Sequence, residues 1–290
     1  MTLHNRTAIV TGANQGLGFA IAEAYLEAGL SGLAICARDK AKLDEAADAL
    51  RAKAKPGQRV FAMSCDVAKT EQVDALVAAT LEEFAHIDVL VNNAGVYGPL
   101  GPIESIDWKE WADAIAINLM GLVYVCRAVV PAMKAAAYGK IVNLSGGGAT
   151  NPLPRISAYA ASKAGVVRFT ETLAMELQDH KIDVNAIAPG VLDTRLTDQL
   201  LAAGPETVGE AFYNRIKGMV DSGKASPLEK AAALCVWLAS GDSDGLTGKL
   251  ISAPWDPWPG FEGHRDDLEN SDVYTLRRVM PKDRGQDWGG

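Results

Sequence analysis

The chain has 290 residues, 48% of them hydrophobic and 22% charged, which is enough to bury a sizeable core and too apolar for a disordered chain. A formal net charge of −8 argues against a polybasic surface for nucleic acid or for an anionic membrane, so an anionic ligand has to be held by local features. Four cysteines (Cys36, Cys65, Cys126, Cys235) and four histidines are dispersed without metal-ligand spacing, which predicts buried thiols in a reducing, cytoplasmic compartment and no metal.

The chain runs within six residues into a strand, so no secretory leader is expected. Thr7–Thr11 is a short β-rich run that ends in Gly12-Ala13-Asn14-Gln15-Gly16-Leu17-Gly18, followed by a helical pattern through Ala28 and a stop at Gly29. Strand, glycine turn and helix open a dinucleotide-binding βαβ unit. Gly12 permits the tight turn, Gly16 and Gly18 let backbone approach a pyrophosphate and the next strand, and the helix end offers N–H groups and partial positive charge. The second strand, Leu33–Ala37, is followed by Arg38 and Asp39. An acid at that strand end would take the ribose hydroxyls of NAD. Arg38 stands there instead and offers charge-assisted bonds to a 2′-phosphate, which favours NADP(H), while Asp39 one residue on keeps NAD(H) open. Alternatively, both residues only begin the next helix.

A helix over Lys40–Ala54, a turn at Pro56-Gly57 and a third strand over Val60–Ser64 lead to Cys65-Asp66-Val67. Asp66 is placed either to accept from an adenine amino group or to cap the helix expected over Thr70–Phe84. The next strand, from Val89, delivers Asn92-Asn93-Ala94-Gly95 to the crevice edge of a parallel sheet, where ligands bind. Trp108 to Ala136 reads as one long helix with Asn118 in its middle, an amide that needs a partner or a bound water. Asn118, Arg127 and Pro131 interrupt its apolar run, which suits a buried helix better than a membrane span.

A fifth strand, Lys140–Leu144, runs into Ser145 and Gly146–Gly148. The helical pattern from Ser157 to Leu177 sets Tyr159 and Lys163 on one face. An ammonium beside a phenol favours phenolate, which predicts a Tyr159 of lowered pKa that gives and takes a proton near neutral pH. Taken alone, the pair reads as a surface Tyr beside a solvated Lys, and what overturns that reading lies elsewhere in the chain. A sixth strand, Ile182–Ala188, turns at Pro189-Gly190, and residues 193–222 give helical pieces broken at Gly204-Pro205, a natural lid whose Leu196, Leu200, Leu201, Phe212 and Tyr213 predict apolar walls. An amphipathic helix at Lys230–Ser240, a last strand at Gly248–Ser252 and a polar tail over 253–290 with Trp255, Trp258 and Trp288 complete the chain. Strands alternate with helices throughout, which predicts one Rossmann-type, doubly wound α/β domain over 1–252 with a mostly parallel sheet.

In joint order and spacing, TGANQGLG at 11–18, NNAG at 92–95, Asn118, YAASK at 159–163 and PGVLDT at 189–194 resemble the short-chain dehydrogenase/reductase family over about residues 5–252. The resemblance implies NAD(P)(H)-dependent interconversion of a carbonyl and a secondary alcohol. It implies Tyr159 as general acid/base, Lys163 lowering its pKa and holding the nicotinamide ribose, and Asn118 anchoring a proton-relay water. It sets Thr194 at the nicotinamide carboxamide with Pro189, Gly190 and Leu192 on the same side, and Asn92, Asn93, Ala94 and Gly95 along the cleft. It also suggests a homodimer or homotetramer built on the helices at 108–136 and 157–178.

Two departures from the family stand out. The family's substrate-binding serine usually has twelve residues between it and the tyrosine, a count that lands on Gly146 and leaves Ser145 one position early. Either the glycine loop carries one extra residue and Ser145 fills the role, the preferred reading, or Ser145 faces the other side and Thr150, Ser157 or a water replaces it. The tail beyond Ser252 covers the pocket, clasps a neighbouring subunit or packs on its own domain. The alternative from another class is a nucleotide-binding sensor or structural subunit without catalysis, against which the intact Tyr159, Lys163 and Asn118 count.

Overall fold

The apolar runs become seven strands in the computed structural model, which describes residues 1–288: β1 (Thr7–Thr11), β2 (Gly32–Ala37), β3 (Arg59–Ser64), β4 (Val89–Asn92), β5 (Gly139–Leu144), β6 (Ile182–Ala188) and β7 (Leu250–Ser252). All pair in parallel in the order β3-β2-β1-β4-β5-β6-β7, so the direction of winding reverses between β1 and β4. At such a reversal the crossover helices leave on opposite faces and a crevice opens at the carboxyl ends of the strands.

The helices are α1 (Gly16–Glu27), α2 (Lys40–Lys53), α3 (Thr70–Phe84), α4 (Trp108–Ile115), α5 (Leu122–Ala136), α6 (Ser157–Leu177), α7 (Arg195–Val208), α8 (Glu210–Asp221), α9 (Leu228–Ala239) and α10 (Arg265–Glu269). Alternation along each strand feeds two cores. Ala8, Val10, Leu33 and Ile35 face α1, α2 and α9, whereas Ile9, Ala34 and Cys36 face α3, α5 and α6. Both faces of the sheet are covered, which is why the strands read as continuous apolar runs. Each fully buried Leu, Ile or Val contributes about 1.5–3 kcal/mol. All four cysteines are buried free thiols within this scaffold.

Two expectations are corrected. The stretch expected as one helix over Trp108–Ala136 is interrupted by a π-helical turn, Ala116–Gly121, that contains Asn118. A π turn inserts a residue into the helical ladder, and such turns cluster at functional sites. By length and composition alone the whole tract could cross a membrane, but in the fold α5 packs against α3 and against β4 and β5. The tail is also less polar than it reads, because Trp258, Phe261 and Leu268 are buried in the same core as α9, with the Trp258 and Trp237 rings 6.0 Å apart. Further along, the Leu250 N–H donates to the Tyr274 carbonyl at 2.8 Å, and the buried Lys249 ammonium donates to the Ser271 and Val273 carbonyls at 3.0 and 3.1 Å. The tail packs on its own domain through these groups, while Trp255 stays 72% exposed.

Candidate active site

The strand ends, α7, α8 and the start of the tail enclose a cavity of ≈ 1220 Å³. One half of it is made chiefly of backbone. Gly12 has φ 65°, and a Cβ there would stand 2.8 Å from the Ala94 Cα, so the glycine turn lies directly against the loop after β4. Asn93 stitches the two together by donating from Nδ2 to the carbonyls of Thr11 (2.9 Å) and Gly12 (3.1 Å). The Thr11 hydroxyl in turn accepts the N–H groups of Asn93 and Ala94 at 3.0 and 3.1 Å. A Cβ on Gly18 would fall on the Asn93 amide and the Gly12 carbonyl, which is the close helix-to-loop packing that the third glycine was expected to allow.

The amino end of α1 has no side-chain cap and no acid in its first turn, and Gln15, Gly16 and Leu17 line the cavity. Unspent N–H groups and the positive end of the helix dipole fit a pyrophosphate there. Across from them, the Thr194 Cγ2 lies 3.7 Å from where a Gly16 Cβ would be. The remaining residues named for the dinucleotide also lie on the wall: Asn14, Arg38, Asp66, Val67, Gly95, Pro189, Gly190 and Leu192. Asp39 accepts the Lys42 N–H at 3.2 Å and caps α2, so its carboxylate is engaged locally. Asp66 accepts the Ala68 N–H at 3.1 Å, and the cap position of α3 falls on Lys69, which corrects the capping alternative for Asp66. Asn92 does not reach the cleft. As the last residue of β4 it turns inward and donates to the Asn143 Oδ1 at 2.9 Å.

The other half of the cavity is made of side chains. Tyr159 and Lys163 both come from the first turns of α6. The buried Lys163 Nζ donates to the Leu144 carbonyl at 2.6 Å and stands 5.5 Å from the centre of the Tyr159 ring. Burial pushes the Lys163 ammonium down to about 8. Burial, and secondarily Tyr97, push the Tyr159 phenol well above its ordinary value. The sequence-based expectation of an acidified phenol is therefore corrected, because loss of water around the buried hydroxyl disfavours its charged form. Tyr97 meets Tyr159 edge-on, with ring centroids 4.9 Å apart.

Asn118 spends its amide on structure. Its Oδ1 accepts the Val96 N–H at 2.8 Å, and its Nδ2 donates to the Val96 carbonyl at 2.8 Å and to the Ser162 hydroxyl at 3.1 Å. It thereby ties the loop after β4 to α6 beside Tyr159. Ser145 lines the cavity but makes no bond to the phenol, and its hydroxyl donates to the Lys163 carbonyl at 3.2 Å. Position 146 faces the phenol instead, since a Cβ on Gly146 would lie 2.5 Å from the Tyr159 Oη. The preferred reading, in which Ser145 stands beside Tyr159, is corrected by this one-residue alternation. Ser157 accepts the Trp111 Nε1–H at 3.0 Å and does not line the cavity.

The lid forms a small core of its own. Ile156, Leu200, Val208 and Ile216 are buried together, with Tyr97, Leu201, Tyr213 and Tyr159 packed against them. α7 kinks at Gly204, where φ is 79°, and Arg155 donates to the Glu206 and Thr207 carbonyls, which fastens the kinked end. Leu196 and Phe212 face the cavity, whereas Leu200, Leu201 and Tyr213 do not. Tyr97, Arg215 and Asp256 also line it and carry no pattern in the sequence that would have singled them out, and Trp255, one of the tail tryptophans already named, lines it too.

A parallel sheet whose winding reverses beside an uncapped helix end, with this glycine floor beneath, defines a Rossmann-type dinucleotide-binding protein. Residues 6–203 match the family described as short chain dehydrogenase, and the chain belongs to that family, the short-chain dehydrogenases/reductases. It is 35% identical over 263 residues to 3beta-hydroxysteroid dehydrogenase 1 of Eggerthella lenta, covering 90% of this chain and 97% of that protein. Among solved structures it is similar to an NAD+-bound xylitol dehydrogenase (27% identity, TM-score 0.77, 87% of this chain and 98% of that one). It is also similar to a single-residue variant of actinorhodin polyketide ketoreductase with NADPH (31% identity, TM-score 0.77, 87% and 97%). The chain is accordingly an oxidoreductase of hydroxyl or carbonyl substrates that depends on a nicotinamide cofactor.

Proposed function

We infer that this chain interconverts a ketone or aldehyde and its alcohol with NADP(H), and that Tyr159 is the general acid/base. The observation that carries this reading is the Tyr159 hydroxyl. It sits on the wall of the dinucleotide cavity and, among the described residues, makes no hydrogen bond to protein, so it is available to a substrate oxygen. A bound nicotinamide supplies or accepts the hydride. Everything else is done by the chain's own groups. The glycine turn and the end of α1 bind the diphosphate, and Lys163, charged at neutral pH, binds a ribose and stabilises the phenolate formed as Tyr159 gives up its proton.

Arg38 supports the NADP(H) preference. It lines the cavity with no carboxylate in ion-pair distance among the described residues, while the rival Asp39 is engaged by the start of α2. Trp255 and Asp256 on the cavity wall support a covering role for the start of the tail. Trp108, 69% exposed and stacked on Trp111, and Met175, 79% exposed, support a homo-oligomer through α4, α5 and α6. Four reduced, buried thiols support a reducing compartment.

The test is consumption of NADPH and of NADH against a panel of ketones and aldehydes. NADPH consumption is expected, with kcat/KM at least about tenfold above that for NADH, the scale of one charge-assisted contact. A folded protein that binds a dinucleotide and consumes neither cofactor would support the sensor reading instead.

A further inference from the structure

A carbonyl oxygen gathers charge as it is reduced, and a site normally offers it a second donor beside the acid. Here the hydroxyls and amides around Tyr159 are committed elsewhere. Ser145 donates to the Lys163 carbonyl, Ser162 donates to the Tyr159 carbonyl at 2.7 Å, Asn118 is spent on Val96 and Ser162, and Ser157 is not on the cavity wall. The position that faces the phenol is Gly146. Its φ of 173° is extended backbone open to any residue, so the main chain does not require glycine there. The phenol does, because a Cβ would stand 2.5 Å from the Tyr159 Oη. The space of a second side-chain donor at position 146 is filled by the tyrosine oxygen itself.

We propose that Gly146 makes this site selective for carbonyl substrates that bear a hydroxyl on the neighbouring carbon, α-hydroxy ketones in one direction and vicinal diols in the other. The substrate's own O–H supplies the missing hydrogen bond to the charged oxygen. The proposal rests on the reading of Tyr159 given above. The reduction itself is unaltered: the carbonyl carbon takes two electrons and a hydrogen from the reduced dinucleotide, the C=O π bond breaks, the oxygen takes the Tyr159 proton, and the neighbouring hydroxyl keeps its own. The rival within the protein is Thr150, which lies on the same wall but is exposed, with its oxygen accepting the Asn151 Nδ2–H at 3.1 Å.

The experiment compares matched pairs, acetoin with butanone and benzoin with deoxybenzoin, in the full chain with NADPH and with NADH. Loss of one oxyanion donor costs about 10²–10³-fold in turnover. Wild type is expected to favour the hydroxylated member of each pair by about 10²-fold in kcat, with a much smaller change in KM, because the bond strengthens as charge develops. Equal kcat within the pairs overturns the proposal and leaves the oxidoreductase reading intact. Consumption of neither member, nor of any ketone or aldehyde in the wider panel, overturns the reading on which it rests. Gly146→Ser, compared with Gly146→Ala as the steric control, is expected to narrow the preference at least about tenfold, one donor's lower range. Identical preferences in the two variants count against the proposal. If both variants misfold, as melting curves would show, the wild-type pairs decide alone. Thr150→Val is expected to keep the wild-type preference, and loss of turnover on both members of a pair would assign the donor to Thr150 instead.

Discussion

The two halves of the crevice are built from different material. On the nucleotide side, Gly12, Gly18 and Asn93 bring main chain against main chain, and the start of α1 leaves its N–H donors without a side-chain cap. On the substrate side, Tyr159, Tyr97, Phe212 and Leu196 present side chains from a helix, a loop and a kinked lid. Backbone geometry tolerates almost no variation, so the first half is written in fixed residues at fixed spacing. Side-chain walls tolerate many solutions, so the second half carries the specificity and little motif.

This difference can be broken experimentally. Gly18→Val forces a side chain onto Asn93 and Gly12. It should abolish dinucleotide binding in calorimetry and cost about 1–3 kcal/mol in chemical denaturation. Undiminished binding would show that the floor is looser than its packing implies. Arg38→Ser should shift the NADPH to NADH ratio of kcat/KM by about 10–100-fold, corresponding to roughly 1.5–3 kcal/mol for a charged hydrogen bond. An unchanged ratio would move the 2′-phosphate contact away from β2.

The pH dependence separates the two halves differently. Lys163 loses its proton as pH rises through about 8, while the raised Tyr159 pKa keeps the phenol protonated across that range. Carbonyl reduction should thus be level below that pH and fall above it, by roughly tenfold one pH unit beyond the midpoint if the neutral amine is inactive. A profile that rises with pH there would remove the charged lysine from the mechanism. The smallest effect belongs to the lid. Phe212→Leu should change KM among substrates by about tenfold or less, with NADPH affinity kept, as expected for a partial change in an apolar wall.

Much of the fold was legible because parallel strands buried on both faces appear as unbroken apolar runs. β1, β6, α3 and α6 have the bounds that their patterns predict, and the first residues of β2, β3 and β5 differ by one. The dinucleotide floor was legible for the same reason that it is rigid. What sequence hid is what depends on burial and on single-residue direction. Asn92 and Asn93 are neighbours, and only the second faces the cleft. Ser145 and Gly146 exchange roles through the same alternation. The Tyr159 pKa follows desolvation, which no spacing reports, and Trp258 enters the core from a segment whose composition reads as polar. The π turn at Asn118 leaves no signature in apolar periodicity.

The central claim is that the Tyr159 hydroxyl is the proton donor in a nicotinamide cleft. Its most direct test is the kcat of Tyr159→Phe on the best substrate of the panel, measured beside the NADPH dissociation constant and the melting curve of the same preparation. The expected result is a loss of about 10²–10⁴-fold in kcat with binding and stability unchanged. A variant that turns over within twofold of wild type would contradict it.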